Sequence, residues 1–185
     1  KVTSDGRYAV SIIKRLSDHL ERKELRMIAD GLVMSKLRYC LPVYAAESLR
    51  LRETDPQSGS IQRIQRVQND MLRAISHKRR QDHARIGDML DDANFLSVNR
   101  MAAYSLLVEL WKARYFDVPV LGDLLKGGRN DERTLRSNSA GKVSTIGKDI
   151  VALNCERLWN MSSDTFKKTN LLKVAKTEST HFCWA

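Results

Sequence analysis

Apolar residues recur every three or four positions through most of the chain, which is the spacing that lines one face of an α-helix. Ala9, Val10, Ile12, Ile13, Leu16 and Leu20 make the first such stripe, with Lys14, Arg15 and Asp18 lying off it. Leu25, Ile28, Ala29, Leu32 and Val33 predict a second helix that continues to about Arg38. Pro42 lacks an N–H and interrupts the backbone hydrogen bonding there, and a short helical piece through about Leu49 fits after it. Glu53 to Ser60 contains Pro, Gly and Ser without an apolar residue and reads as an exposed loop. Ser60 is placed to cap a long helix whose stripe is Ile61, Ile64, Val67, Met71, Leu72 and Ile75. Ala84, Ile86, Met89 and Leu90 predict a shorter helix ending near Asp92. Ser97 then caps a helix carrying Met101, Ala102, Tyr104, Leu107, Val108 and Trp111.

Pro119 suits the first position of a helix through Val120, Leu121, Leu124 and Leu125. Residues 127–144 are rich in Gly, Ser, Asn and charge, and read as a flexible linker between a bundle at 1–126 and a helical segment at 145–185. Within that last segment Ile150, Leu153, Leu158 and Trp159 suggest one helix and Leu171 to Ala175 begin another. No run alternates with a strand period. The expected fold is all-α, an irregular bundle of about six to eight helices without a central sheet. Its stripes predict burial of Ile13, Leu16, Ile28, Leu32, Ile64, Val67, Met71, Leu107 and Trp111.

At 185 residues, with 42% hydrophobic and 29% charged residues, the chain can bury a substantial core and lacks the composition of a disordered or collagen-like protein. Charges interrupt every apolar run well short of the roughly 20 residues a membrane span needs, so no membrane partner is expected. The first residues, Lys1 to Gly6, have no signal-peptide character, and the missing initiator Met fits excision from a longer chain. Three widely spaced cysteines, Cys40, Cys155 and Cys183, include no CxxC pair, which points to a reducing, intracellular setting, nuclear or cytoplasmic. The net charge is +10, and it is unevenly spread. Residues 56–86 carry seven basic and two acidic side chains, whereas 87–127 carry four and six. A field of that sign favours polyanions, either nucleic acid or an acidic protein surface.

No catalytic set assembles from the residues. His19, His77, His83 and His181 are scattered, with no partner at a metal-ligand spacing, and Gly127-Gly128 is not followed by a phosphate-loop Lys. Asp91-Asp92 resembles the adjacent carboxylates with which polymerases hold two Mg²⁺ ions. That chemistry needs a tight strand turn and a third carboxylate, however, and here the pair closes a helix. No cofactor or metal is expected. The basic helix is the stronger feature: Arg63, Arg66 and Arg73 share one face, and His77-Lys78-Arg79-Arg80 follow. Its guanidinium groups suit phosphates, and its Gln and Asn side chains could add sugar contacts. A solvated face whose arginines cover the edge of the core explains the same pattern, and the residues alone leave both open.

Several motifs, in order, resemble non-LTR (LINE-type) retrotransposon reverse transcriptases. Ile13-Lys14-Arg15-Leu16 and Leu32-Val33-Met34-Ser35-Lys36-Leu37-Arg38-Tyr39-Cys40-Leu41-Pro42-Val43-Tyr44 are similar to a stretch just downstream of that family's catalytic palm. Ile64-Gln65-Arg66-Val67-Gln68-Asn69-Asp70-Met71-Leu72-Arg73-Ala74-Ile75 resembles its QxxQNxxLRxI helix. Leu96-Ser97-Val98-Asn99 with Ala102-Ala103-Tyr104 resembles its LSVNQxxAY helix, and Leu158-Trp159-Asn160 its RLWN element. Met161-Ser162-Ser163 departs from the Leu-Pro that usually follows.

The resemblance implies the thumb and the segment beyond it, a helical region that grips the template–primer duplex behind the active site. The palm aspartates would lie upstream, so the region itself is expected to be non-catalytic. RNA or an RNA–DNA duplex is the implied partner, and the basic candidates for contact are Lys14, Arg15, Lys36, Arg38, Arg63, Arg66, Arg73, Lys78, Arg79 and Arg80. The alternative is a co-opted helical module that holds an acidic protein partner with the same faces.

Overall fold

The computed structural model describes residues 2–39, 41–46, 49–50, 59–116 and 147–168. The fold is all-α: among the described residues every regular element is helical and none is a strand. In chain order these are α1 (Val2–Leu16), α2 (Arg22–Ala29), a π turn (Asp30–Met34), α3 (Ser35–Arg38), α4 (Leu41–Ala45), α5 (Gly59–Ile75), a 3₁₀ turn (Arg80–Asp82), α6 (Ile86–Ala93), α7 (Val98–Tyr115), α8 (Gly147–Met161) and α9 (Asp164–Lys168). They form two compact units, Lys1–Leu41 with Pro56–Met101 and Pro42–Asp55 with Ala102–Ala185. The expected linker at 127–144, the helix after Pro119 and the one starting at Leu171 lie outside the described residues, as do 51–58 of the expected loop.

In the first unit α1 buries Gly6, Ala9, Val10 and Ile13, and α5 buries Ile61, Ile64, Val67, Met71, Leu72 and Ile75. Both follow the helical period of the sequence. Helix α5 begins at Gly59, so Ser60 lies inside its first turn and does not precede it as a cap. The expectation for the second helix needs a larger correction. Leu32 is exposed and Ile28 half-buried, while Leu25, Ala29, Val33, Met34 and Leu37 are buried. The cause is the π turn, whose i→i+5 bonding takes more residues per turn than an α-helix. A four-residue spacing (25, 29, 33, 37) therefore stays in phase, and Ile28 and Leu32 rotate off the core. Leu16, at the very end of α1, is also only half-buried.

The helix ends are built from local chemistry. The Glu21 N–H donates to Glu24 Oε2 at 3.1 Å, the second half of a capping box that opens α2. Helix α6 stops at Asn94, left-handed at φ 52°, where the Asn94 N–H donates to Asp91 O and the Phe95 N–H to Leu90 O at 2.9 Å. Ser97 Oγ accepts from the Arg100 N–H at 3.4 Å, so Ser97 does cap α7. Arg26 ties α2 to this corner, donating from Nε to Ala93 O and lying over the Phe95 ring at 5.6 Å.

The second unit is organised around aromatic residues. Trp111 is fully buried and contacts Tyr115 and Phe116, with ring centroids 4.8 and 5.9 Å apart. Asn154 Nδ2 donates to Ala46 O at 2.9 Å, satisfying a carbonyl just past α4. Trp159 packs edge-on against Phe166 and receives the Arg114 guanidinium over its face at 5.7 Å.

Candidate functional site

Helices α1 and α5 lie side by side and run in the same direction. Gly6 meets Val67 near their starts, whereas Lys14, Ser17 and Asp18 meet Asp70, Arg73 and Ala74 near their ends. The close start depends on Gly6, since a Cβ there would come 2.9 Å from Val67 Cγ1. At the other end the chain turns sharply. His77 is left-handed at φ 52°, a conformation that costs a side-chain-bearing residue and is usually given to Gly. Its N–H donates to Ala74 O at 3.4 Å and the Lys78 N–H donates to Arg73 O at 3.0 Å, closing α5. Lys78, Arg79 and Arg80 are thereby turned back beside the end of α5, and the Arg79 N–H donates to Asp82 Oδ2 at 2.7 Å to fix the turn.

The result is a cavity of about 500 Å³ with three walls: the end of α1, the end of α5 and the turn from His77 to Arg80. A volume of that size falls in the ordinary range of ligand pockets. Five cations line it (Lys14, Arg73, Lys78, Arg79 and Arg80) against two carboxylates, Asp18 and Asp70. Asp70 Oδ1 pairs with Arg80 Nη2 at 3.0 Å and lies 3.8 Å from Arg73 Nη1. Lys14, Lys78 and Arg79 make no ion pair among the described residues. The last carbonyls of α5 carry the negative end of the helix dipole, which favours Arg73 and Lys78 at this position. A smaller hollow of about 150 Å³, lined by Arg7, Ser11, Lys14 and Asp70 among others, adjoins the cavity through Lys14 and Asp70.

Five of the ten basic residues expected from sequence line one cavity. Arg15, Lys36, Arg63 and Arg66 are exposed and do not line it, and Arg38 is paired with Asp30 at 2.8 Å. Asp70 was missed, although it falls on the Arg63–Arg66–Arg73 face and breaks its uniform charge. His77 was read only as part of a basic run, because a left-handed non-glycine leaves no mark in the sequence. The glutamines have a different role from the sugar contacts considered above. Gln68 is fully buried and its Nε2 donates to Leu96 O at 2.7 Å, while Gln65 Oε1 accepts the Val98 N–H at 2.9 Å. Gln65 Nε2 donates to Gln68 Oε1 and Asn69 Oδ1, both at 2.8 Å. The two reverse-transcriptase-like motifs on α5 and at the start of α7 are thus interlocked by these amides. The signal was available, since position 68 continues the stripe of Ile61, Ile64, Met71 and Ile75.

Asp92 pairs with Arg22 at 3.1 Å and Asp91 is exposed at the end of α6. Among the described residues no group of three His, Cys, Asp or Glu side chains stands close enough to hold a metal ion. Cys155 is buried, and desolvation pushes its thiol up to about 11. No described helix is long and apolar enough to cross a membrane. No protein-family model, curated protein or solved structure matches the chain.

Proposed function

We propose that the chain is a non-catalytic nucleic-acid-gripping region, similar to the thumb and downstream segment of a non-LTR retrotransposon reverse transcriptase, and that it holds RNA or an RNA–DNA duplex by its phosphates. The observation that carries the reading is the cavity at the shared end of α1 and α5, where five cations converge on a space open to a ligand. Lysine and arginine at such a site add affinity through counterion release without reading base sequence. The amide interlock supports the reading indirectly. It accounts for the glutamines of the QxxQN motif as structural, which leaves the cations as the groups available to a ligand. Asp91 and Asp92 serve a helix end and an ion pair in this account, so the region incorporates no nucleotides by itself.

A salt titration tests the proposal. Binding to an RNA–DNA hybrid of arbitrary sequence should weaken steadily with salt, and Lys14→Ala with Lys78→Ala and Arg79→Ala should flatten the log–log slope. Three phosphates lost correspond to a change of about 2.7 on duplex DNA at about 0.9 per contact. Equal binding by parent and triple variant across the titration would remove the cavity from the grip. Binding to poly-glutamate in place of the hybrid would favour the co-opted protein-binding module.

A further inference from the structure

We propose that the cavity seats the terminal phosphomonoester of a nucleic-acid strand, and not an internal phosphodiester of a strand that runs through it. The inference rests on the nucleic-acid reading above and names the group that occupies this part of it. The smaller hollow beside Arg7 and the main cavity share Lys14 and Asp70, so together they make one track along the α1–α5 seam. The turn carrying Lys78, Arg79 and Arg80 stands at the end of that track as a third wall. A strand lying in the seam therefore meets the turn with its end.

Charge argues in the same direction. Asp70 occupies Arg80 and, more distantly, Arg73. Lys14 on one wall and Lys78 and Arg79 on another have no ion pair among the described residues. Three such cations exceed what one internal phosphodiester, with a single charge, would neutralise. A terminal phosphomonoester carries about −1.5 to −2 at neutral pH and three strong acceptor oxygens, and it can be approached from several sides. The lining also contains no Phe, Tyr or Trp on which a base could stack. Binding to unpaired bases leans on such stacking, so the recognised group here is the phosphate itself.

The test compares one short oligonucleotide in three forms, with a 5′-phosphate, with a 3′-phosphate and with hydroxyls at both ends, against the full chain at fixed salt. One of the phosphorylated forms should bind at least about tenfold tighter than the hydroxyl form, equivalent to about 1.4 kcal/mol. Lys78→Ala with Arg79→Ala should bring that ratio to within about twofold, as should Lys14→Gln from the opposite wall, whereas Lys23→Ala on α2 should leave it intact. These side chains are exposed, so circular dichroism should show the parent fold in each variant. Equal binding of all three oligonucleotides overturns the terminal-phosphate assignment and leaves the nucleic-acid reading standing. No binding of any of them overturns both.

Discussion

Gln68 carries a primary amide into a fully buried position on α5, between the turns that hold Ile64 and Met71. Its hydrogen bond to Leu96 O is what makes that burial tolerable, because an unpaired buried polar group is costly. Gln68→Ala should therefore destabilise the protein by about 1–3 kcal/mol, read as a lower urea midpoint, since it strands the Leu96 carbonyl as well as removing the amide. A loss below about 0.5 kcal/mol would mean that water replaces the bond. Cys155 gives a second prediction at this scale. Its raised pKa leaves roughly one part in a thousand as thiolate at pH 8, so it should resist alkylation in the folded chain and react on unfolding. The unfolded thiol ionises first as pH rises, so stability should also fall between about pH 9 and 11. Peptide-level mass spectrometry after brief iodoacetamide treatment checks the reactivity, and rapid labelling of native Cys155 would contradict it.

Helices α1 and α5 were legible because their apolar residues keep a regular period and face one core. The α2–α3 stretch was less so. Nothing in Asp30-Gly31-Leu32-Val33-Met34 distinguishes a π turn from an α turn, yet that turn decides that Met34 is buried and Leu32 exposed. Packing direction was also hidden, since a stripe says which face is buried but not which helix covers it. Gly6 shows the consequence, for its role appears only once Val67 lies against it. Gly6→Val should cost about 1–3 kcal/mol by forcing the helices apart, even though it removes a flexible glycine from a helix. Gly6→Ala should cost less, because its gain in helix propensity, about 0.5–1 kcal/mol, offsets part of the crowding. Thermal unfolding of the two variants checks the order, and a Gly6→Val protein as stable as the parent would show that the seam can open without penalty.

Across the whole molecule, composition already pointed to a polyanion, but it could not say where the charge gathers. The sequence excess over residues 56–86 is divided by the fold. Arg63 and Arg66 stay on an open helix face, whereas Arg73 joins Lys14 from α1 and the Lys78–Arg80 turn around a cavity. Lys14 and Arg73 are 59 positions apart in the chain, and only the parallel pairing of α1 with α5 brings them together. The most direct test is photo-crosslinking of the chain to an RNA–DNA hybrid, followed by mass spectrometry of the linked peptides. Crosslinks should concentrate on residues 14–18 and 70–80 and fade as salt rises. Crosslinks confined to α8 and α9, or none above background at low salt, would contradict the account.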